Sequence, residues 1–261
     1  MGTESPMNDK VRGIILKQSD YRDSSVLLTV LTREYGRISL IAQGARKPTS
    51  KNARSLMPYT ETEFNFDYKE NKTIFRMRSV STVAFYRRLY EDLDASLASA
   101  LLCEVTDQLT AEDQDHQQTE FFYDLLQEAL MMLGEGKRTD IVTAVFLANV
   151  LEHNGMGPAV DACVLCEKPE AYSISPEDGG FLCRDCAEKA GVRLYSIQEL
   201  RQFRLINKAS LAHYDILADR IEDAGEDIEL LVRFFTLHGG IDLRSYELYK
   251  RIRIVEPQGV K

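Results

Sequence analysis

Four cysteines carry the clearest chemistry in this chain. They fall as Cys163-Val-Leu-Cys166 and Cys183-Arg-Asp-Cys186, with sixteen residues between the pairs. That spacing is the one used by tetrahedral zinc sites. A two-residue gap lets the chain turn tightly enough for both sulfurs of a pair to reach one ion. Two such turns supply four thiolates and close the coordination shell, so the site has no open position for water or substrate and its expected role is structural. Iron also fits a four-sulfur cage. The competing reading is a pair of disulfides, which a chain without secretory features disfavours. The elements expected to position the quartet form a small ribbon. Tyr172-Ser173-Ile174 reads as a strand, Pro176-Glu177-Asp178-Gly179-Gly180 as a turn, and Phe181-Leu182 leads into the second pair.

The 261 residues allow one large or two modest domains, and 44% hydrophobic with 28% charged residues is ordinary for a soluble protein. No apolar run is long enough to span a membrane. Met1-Gly-Thr-Glu-Ser-Pro-Met7 has no apolar signal core, and Met7 is an alternative start. Cys103, the fifth cysteine, sits in an apolar helical run and is expected to be a buried core thiol. These features together place the protein in a reducing cytoplasm. Charge is divided unevenly. Residues 1–88 carry 16 Lys+Arg against 9 Asp+Glu, whereas residues 89–261 carry 16 against 32. A basic part joined to an acidic body suggests two different partner surfaces, the basic one facing a polyanion.

The basic part reads as β. Candidate strands are Val11–Gln18, Val26–Thr32, Arg37–Gln43, Tyr59–Tyr68 and Thr73–Phe85. In the fourth, Thr60, Thr62, Phe64, Phe66 and Tyr68 alternate with Glu61, Glu63, Asn65 and Asp67, which puts the aromatics inward. Five strands with mostly short turns predict a small closed barrel, either OB-type or SH3-like, and OB barrels commonly bind single strands. The third connection is longer, and no acid occurs from Tyr35 to Thr60. Lys17, Arg37, Arg46, Lys47, Lys51 and Arg54 are therefore candidates for contact with a nucleic-acid backbone, without a pattern that would read bases.

Beyond Tyr90 the period changes to helical. Helices are expected over Glu91–Leu109, with Leu93, Leu97, Leu101 and Val105 at spacing four, and over Glu120–Leu133 and Asp140–His153, with Thr139 as a cap. Ser196-Ile-Gln-Glu199 is a capping box opening a helix to about Ala209, and Asp227–His238 and Leu243–Ile252 follow. The fold class expected is α+β: a barrel over 1–88, a helical domain over 89–160 and 191–261, and a zinc-binding module inserted at 161–190. Catalysis finds no support. The four histidines are scattered, and no metalloprotease helix, nucleophile elbow, phosphate-binding loop or K-x-D-G-like nucleotidyltransferase sequence is present.

The chain resembles the bacterial RecO family of recombination mediators. The resemblance is carried by Gly13-Ile14-Ile15-Leu16-Lys17, Tyr21, Leu28-Thr29, Leu31-Thr32, Gly36, Gly44-Ala45-Arg46-Lys47 and Pro58. It continues through the four cysteines with Gly179-Gly180-Phe181-Leu182 before the third, and through Leu243-Arg244-Ser245. It implies an OB barrel, a helical domain and a zinc module. It also implies binding of single- and double-stranded DNA, annealing of complementary strands, partnership with RecR, and help in loading RecA onto strands coated by single-strand-binding protein. The implied setting is the bacterial cytoplasm at the nucleoid. The acidic helical part departs from this picture and confines the DNA expectation to the barrel. The alternative is a zinc-ribbon adaptor that binds only protein.

The implied acidic, aromatic-ended tail of single-strand-binding protein needs an apolar groove with a cation at its rim. Lys137 and Arg138 are the only cations between Arg88 and Lys168, and they adjoin Leu130, Met131, Met132 and Leu133. They are the first candidates for that tail. Arg201, Arg204 and Lys208, with Arg251 and Arg253, are the rivals.

Overall fold

Strand β1 (Lys10–Tyr21) has neighbours on both sides. Lys10–Ile14 runs antiparallel to β4 (Glu61–Phe66), and Gly13–Tyr21 runs antiparallel to β2 (Ser25–Thr32). A register shift between Ile15 and Lys17 lets one strand serve both partners, because the extra residue bends it. At the bend the Ile15 N–H donates to the Thr60 carbonyl at 3.1 Å and the Tyr59 N–H donates to the Ile15 carbonyl at 2.7 Å. Gly13 lies opposite Thr32 where β1 pairs with β2. A Cβ there would collide with Cγ1 of Val30, so the position requires glycine.

The computed structural model describes residues 10–22, 24–47, 52–69, 72–110 and 116–255, with only the backbone of 116, 117 and 252–255. Strand β3 (Gly36–Ala42) pairs with β2, and β5 (Ile74–Ala84) pairs with β4, both antiparallel. β3 and β5 are parallel, and their pairing closes the barrel in the order β1-β2-β3-β5-β4. Parallel neighbours cannot be joined by a tight turn, so the chain must cross from β3 to β4 before returning as β5. Leu56, in a 3-10 turn over Arg54–Leu56 on that crossing, is buried in the barrel core with Ile15, Leu28, Leu40, Phe64 and Phe75. This is the five-stranded OB-type arrangement.

Two details of β4 depart from simple alternation. Glu61 is buried rather than exposed, because the Tyr123 hydroxyl donates to its Oε1 at 3.0 Å. Tyr68, expected inward, is 42% exposed.

The chain packs as two compact units, 1–135 and 136–261. In the first, the barrel is followed by α1 (Arg88–Glu91), α2 (Leu93–Leu109) and α3 (His116–Gly134). Asp92 caps α2 by accepting from the Ala95 N–H at 3.0 Å. Leu97, Leu101 and Val105 are buried as their spacing predicts, while Leu93, in the first turn, is exposed. Cys103 is buried, and burial pushes its thiol far above the ordinary range.

The second unit is built on α4 (Thr139–His153), which is buried nearly all round and packs against α6 (Ile197–Lys208), α7 (Tyr214–Arg220) and α8 (Gly225–Gly239). A helix without a polar face is a central one. Thr139 does not cap it: Arg138 holds that position and Thr139 is the first helical residue. The capping box at Ser196 and Glu199 forms as expected. The last helix is α9 (Arg244–Val255). α7 and the seven-residue α5 (Arg184–Ala190) are too short to give a periodic signal in sequence.

Asp227, in the first turn of α8, lines a cavity of about 350 Å³ together with Glu199, Glu222, Asp223 and Glu226. Burial pushes its carboxyl up to about 7, although Gln202 Nε2 donates to it at 2.6 Å. The folded state therefore keeps a proton that the unfolded chain loses from about pH 4 upward. Its contribution to stability falls as pH rises to about 7. Asp227→Asn should raise stability at about pH 8 by ~2–4 kcal/mol and leave it nearly unchanged at about pH 3, below the ordinary carboxylate range. Urea midpoints at the two pH values check this, and equal midpoints for variant and parent at the higher pH would refute it.

Candidate functional site

The four cysteine sulfurs lie within 4.8 Å of one another. Cys163 and Cys166 flank a tight turn in which the Glu167 N–H donates to the Cys163 carbonyl and the Cys163 N–H donates to the Lys168 carbonyl, both at 2.8 Å. Cys183 is the cap residue of α5, and Cys186 lies in its first turn. Between the pairs, β6 (Ser173–Ser175) and β7 (Gly180–Leu182) form the expected ribbon. The Val164 N–H donates to the Phe181 carbonyl at 2.9 Å and ties the first turn to β7. Ala159 lies alongside Gly180, so close that a Cβ on that glycine would enter the Ala159 backbone. Leu182, Ala187 and Val192 pack beside the cysteines.

The sulfur set fits a four-coordinate metal. Cys166 and Cys183 are 3.5 Å apart and Cys166 and Cys186 3.7 Å. A tetrahedron of ~2.3 Å metal–sulfur bonds has edges of about that length. For Cys163, burial opposes ionisation, but backbone N–H groups of Cys183, Leu165 and Cys166 outweigh it and bring the thiol down to about 6. Cys186 is pushed up to about 12, first by its hydrogen bond with Cys183 and then by burial. Four adjacent thiolates repel one another, so full ionisation requires a cation among them. Lys168 is paired with Asp185 at 2.6 Å, and the Arg184 guanidinium lies over the Tyr172 ring at 4.6 Å. Both cations are placed at the edge of a site whose filled form would carry net negative charge.

The cationic candidates of the barrel separate into three groups. Lys17 and Arg37 meet at a single carboxylate, Asp107 of α2, each at 2.6 Å. Their charge is largely answered within the protein. Arg46 and Lys47 are exposed just beyond β3, with Arg46 in a looser 3.2 Å contact to Asp20. Arg54 lies over the Phe85 ring at 3.9 Å. Lys51 lies outside the described residues. Sequence reasoning missed the pairing role of Asp107. It also missed three exposed cations, Lys69, Lys72 and Arg76, at the β4–β5 hairpin and on β5. Alternation along β5, with Phe75 buried and Arg76 outside, was the signal that could have found the last.

Lys137 and Arg138 differ from each other. The Lys137 ammonium lies over the Tyr214 ring at 4.7 Å and 3.3 Å from Asp215. Arg138 directs its guanidinium to the carbonyls of Ala218, Ile221 and Glu222 and to both oxygens of the buried Asp140. Asp140 in turn accepts from the Ala224 N–H at 3.1 Å. The pair thus answers carbonyls where α7 ends and a donor where α8 begins. Its bond to Asp140 holds the Arg138 guanidinium above its ordinary range. Of the four apolar neighbours, Leu130, Met132 and Leu133 are buried and Met131 is exposed. Arg204 and Lys208 both pair with Asp161, whereas Arg201 is exposed with no ion pair among the described residues.

Comparison with known proteins gives one family over most of the chain. Residues 7–86 match the model of the recombination protein O N terminal, and residues 90–247 match that of the recombination protein O C terminal. The DNA repair protein RecO of Bacillus subtilis (strain 168) is 26% identical over 241 residues, covering 92% of each chain. That of Halalkalibacterium halodurans is 26% identical over 244 residues, covering 92% of this chain and 93% of its own. That of Exiguobacterium sibiricum is 30% identical over 179 residues, covering 68% and 70%. No helix among the described residues is long and apolar enough to cross a membrane.

Loss of one sulfur should empty the cysteine site and loosen the ribbon. Cys163→Ser is expected to fall below half an equivalent of bound metal by elemental analysis and to lower the melting temperature by more than ~5 °C. A variant that melts with the parent would show that the site does not support the fold.

Proposed function

The chain belongs to the recombination protein O family of DNA repair proteins, and we propose that it is a mediator without catalytic turnover. It binds single- and double-stranded DNA, anneals complementary strands and helps load recombinase onto strands coated by single-strand-binding protein. In this reading 1–88 is the DNA-binding barrel, 161–190 the metal module holding one structural Zn²⁺, and 89–160 with 191–261 the helical parts. The partners are DNA, RecR, the tail of single-strand-binding protein and, indirectly, RecA, in the bacterial cytoplasm at the nucleoid.

The observation that carries the reading is the charge on the barrel. From Tyr35 to Thr60 there is no acid, and on this stretch Arg46 and Lys47 stand exposed. Phosphate contacts by such side chains are independent of base sequence and release counterions. Lys17 and Arg37 contribute less than Arg46, Lys47, Lys51 and Arg54, because Asp107 already answers their charge.

The combined variant Arg46→Ala, Lys47→Ala and Lys51→Ala should weaken binding to all sequences alike. It should flatten the logarithmic salt dependence by up to about 0.9 per lost contact on duplex. Lys17→Ala should change both less. Oligonucleotide titrations across salt concentrations, with an annealing assay on complementary strands in the absence of nucleotide, measure these effects. If the parent protein shows no salt-dependent DNA binding, the protein-only adaptor takes the place of this reading.

For the acidic tail, Lys137 remains the candidate, with Arg138 held to its structural bonds and Arg201 the rival. Lys137→Glu should weaken binding of a tail peptide at least about tenfold without changing affinity for bare DNA. Peptide anisotropy titration checks it, and a parental curve would move the site to Arg201.

A further inference from the structure

We propose that Phe85 positions Arg54 for contact with DNA phosphates, which makes this arginine the pre-set anchor of the acid-free connection. This rests on the DNA-binding reading above. It adds to it a residue, remote from the connection in sequence, on which one of the contacts depends.

Arg54 starts from a fixed piece of backbone. It opens the 3-10 turn whose Leu56 is buried in the barrel core. The next residue, Ser55, is held by β4 and β5. Thr62 Oγ1 donates to its carbonyl at 3.0 Å, and its hydroxyl lies 2.8 Å from Thr82 Oγ1. The far end of the Arg54 side chain is held as well, by the Phe85 ring, whose centroid lies 3.9 Å from the guanidinium carbon. Phe85 is in turn stacked on Tyr90 of α1, with centroids 4.8 Å apart and 7° between planes. The Tyr90 hydroxyl donates to the Pro58 carbonyl and shares a 2.9 Å hydrogen bond with the Thr60 hydroxyl. The platform beside Arg54 is therefore tied to the same segment of chain that carries the arginine.

The kind of partner decides what a cation can do. Lys17, Arg33 and Arg37 each face an acid of the following helices, Asp107 or Asp124. Arg54 is exposed and has no ion pair among the described residues. No acid occurs from Tyr35 to Thr60, so its own connection offers none. A neutral ring holds a guanidinium without cancelling its charge. A guanidinium that meets a ring with its face keeps its N–H donors at the edge, in the fork that fits two phosphate oxygens. An arginine ordered in advance also loses less side-chain freedom when it binds.

Fluorescence anisotropy with a labelled duplex and a labelled single strand, read across salt concentrations, tests the assignment. Arg54→Ala should weaken binding to both roughly three- to thirtyfold and flatten the salt slope by up to about 0.9 on duplex and 0.7 on single strand. Phe85→Leu keeps apolar bulk against Tyr90 but removes the ring. It should weaken binding about threefold or more when Arg54 is present and add nothing to Arg54→Ala. That dependence on Arg54 separates positioning from a general loss of folding, and Phe85→Tyr, which keeps the ring, should restore most of the affinity. Arg54→Lys, at an exposed position, keeps the charge but not the planar fork and should bind at least about threefold more weakly than the parent. It decides the matter should Phe85→Leu fail to fold. Parental affinity in Phe85→Leu or in Arg54→Lys, or an equal loss from Phe85→Leu with and without Arg54, would overturn the positioning role alone. A parent protein that binds neither DNA would overturn the DNA-binding reading itself.

Discussion

Closure of the five-stranded sheet is the constraint from which the first unit follows. An open sheet of this size would leave two rows of unpaired backbone groups, and pairing β3 with β5 removes both. Because that pair is parallel, β3 cannot turn directly into β5, and β4 with the longer connection before it comes between them in the chain. Because β1 must reach both β2 and β4, it needs the bend at Leu16 and the missing side chain at Gly13.

The second unit has a different organising device at each of two places. Around the cysteines, backbone hydrogen bonds pre-set the turns, and four thiolates this close would need a cation to offset their mutual repulsion. Around Arg138 and Asp140 the protein supplies both charges itself. One side chain collects carbonyls where α7 ends and the other takes the N–H at the start of α8, so neither charge is left without partners in a partly buried place. Both devices lock short elements that have too few residues to be stable as isolated helices or strands.

Charge in the first unit is not used uniformly. Asp107 of α2 gathers Lys17 and Arg37, which fixes the helix to the barrel and lowers the field those two cations project. Among the described residues, Lys47, Lys69, Lys72 and Arg76 have no ion pair, and Arg46 has only its 3.2 Å contact to Asp20. A surface that binds a polyanion needs the second kind, since a cation already paired must exchange one partner for another and gains less.

Strands, turns and the longer helices were legible in the sequence because their periods and punctuation are local. Phe64 and Phe66 alternate with polar residues, Ser196 and Glu199 cap their own helix, and two Cys-x-x-Cys pairs each bring two sulfurs together within one turn. The clustering of the four cysteines was therefore readable to the residue, and its ribbon with it. The OB-type order was not, since strand count does not say which edges meet; the parallel β3–β5 pairing resolved it. Glu61 is buried because α3, 62 residues away in sequence at Tyr123, covers it. Lys17 and Arg37 are answered by an acid 90 and 70 residues away, and Arg138 is spent on carbonyls some 80 residues on. Sequence composition fixes how many charges a segment has, but only folding brings together the partners that decide which of them remain available to a ligand.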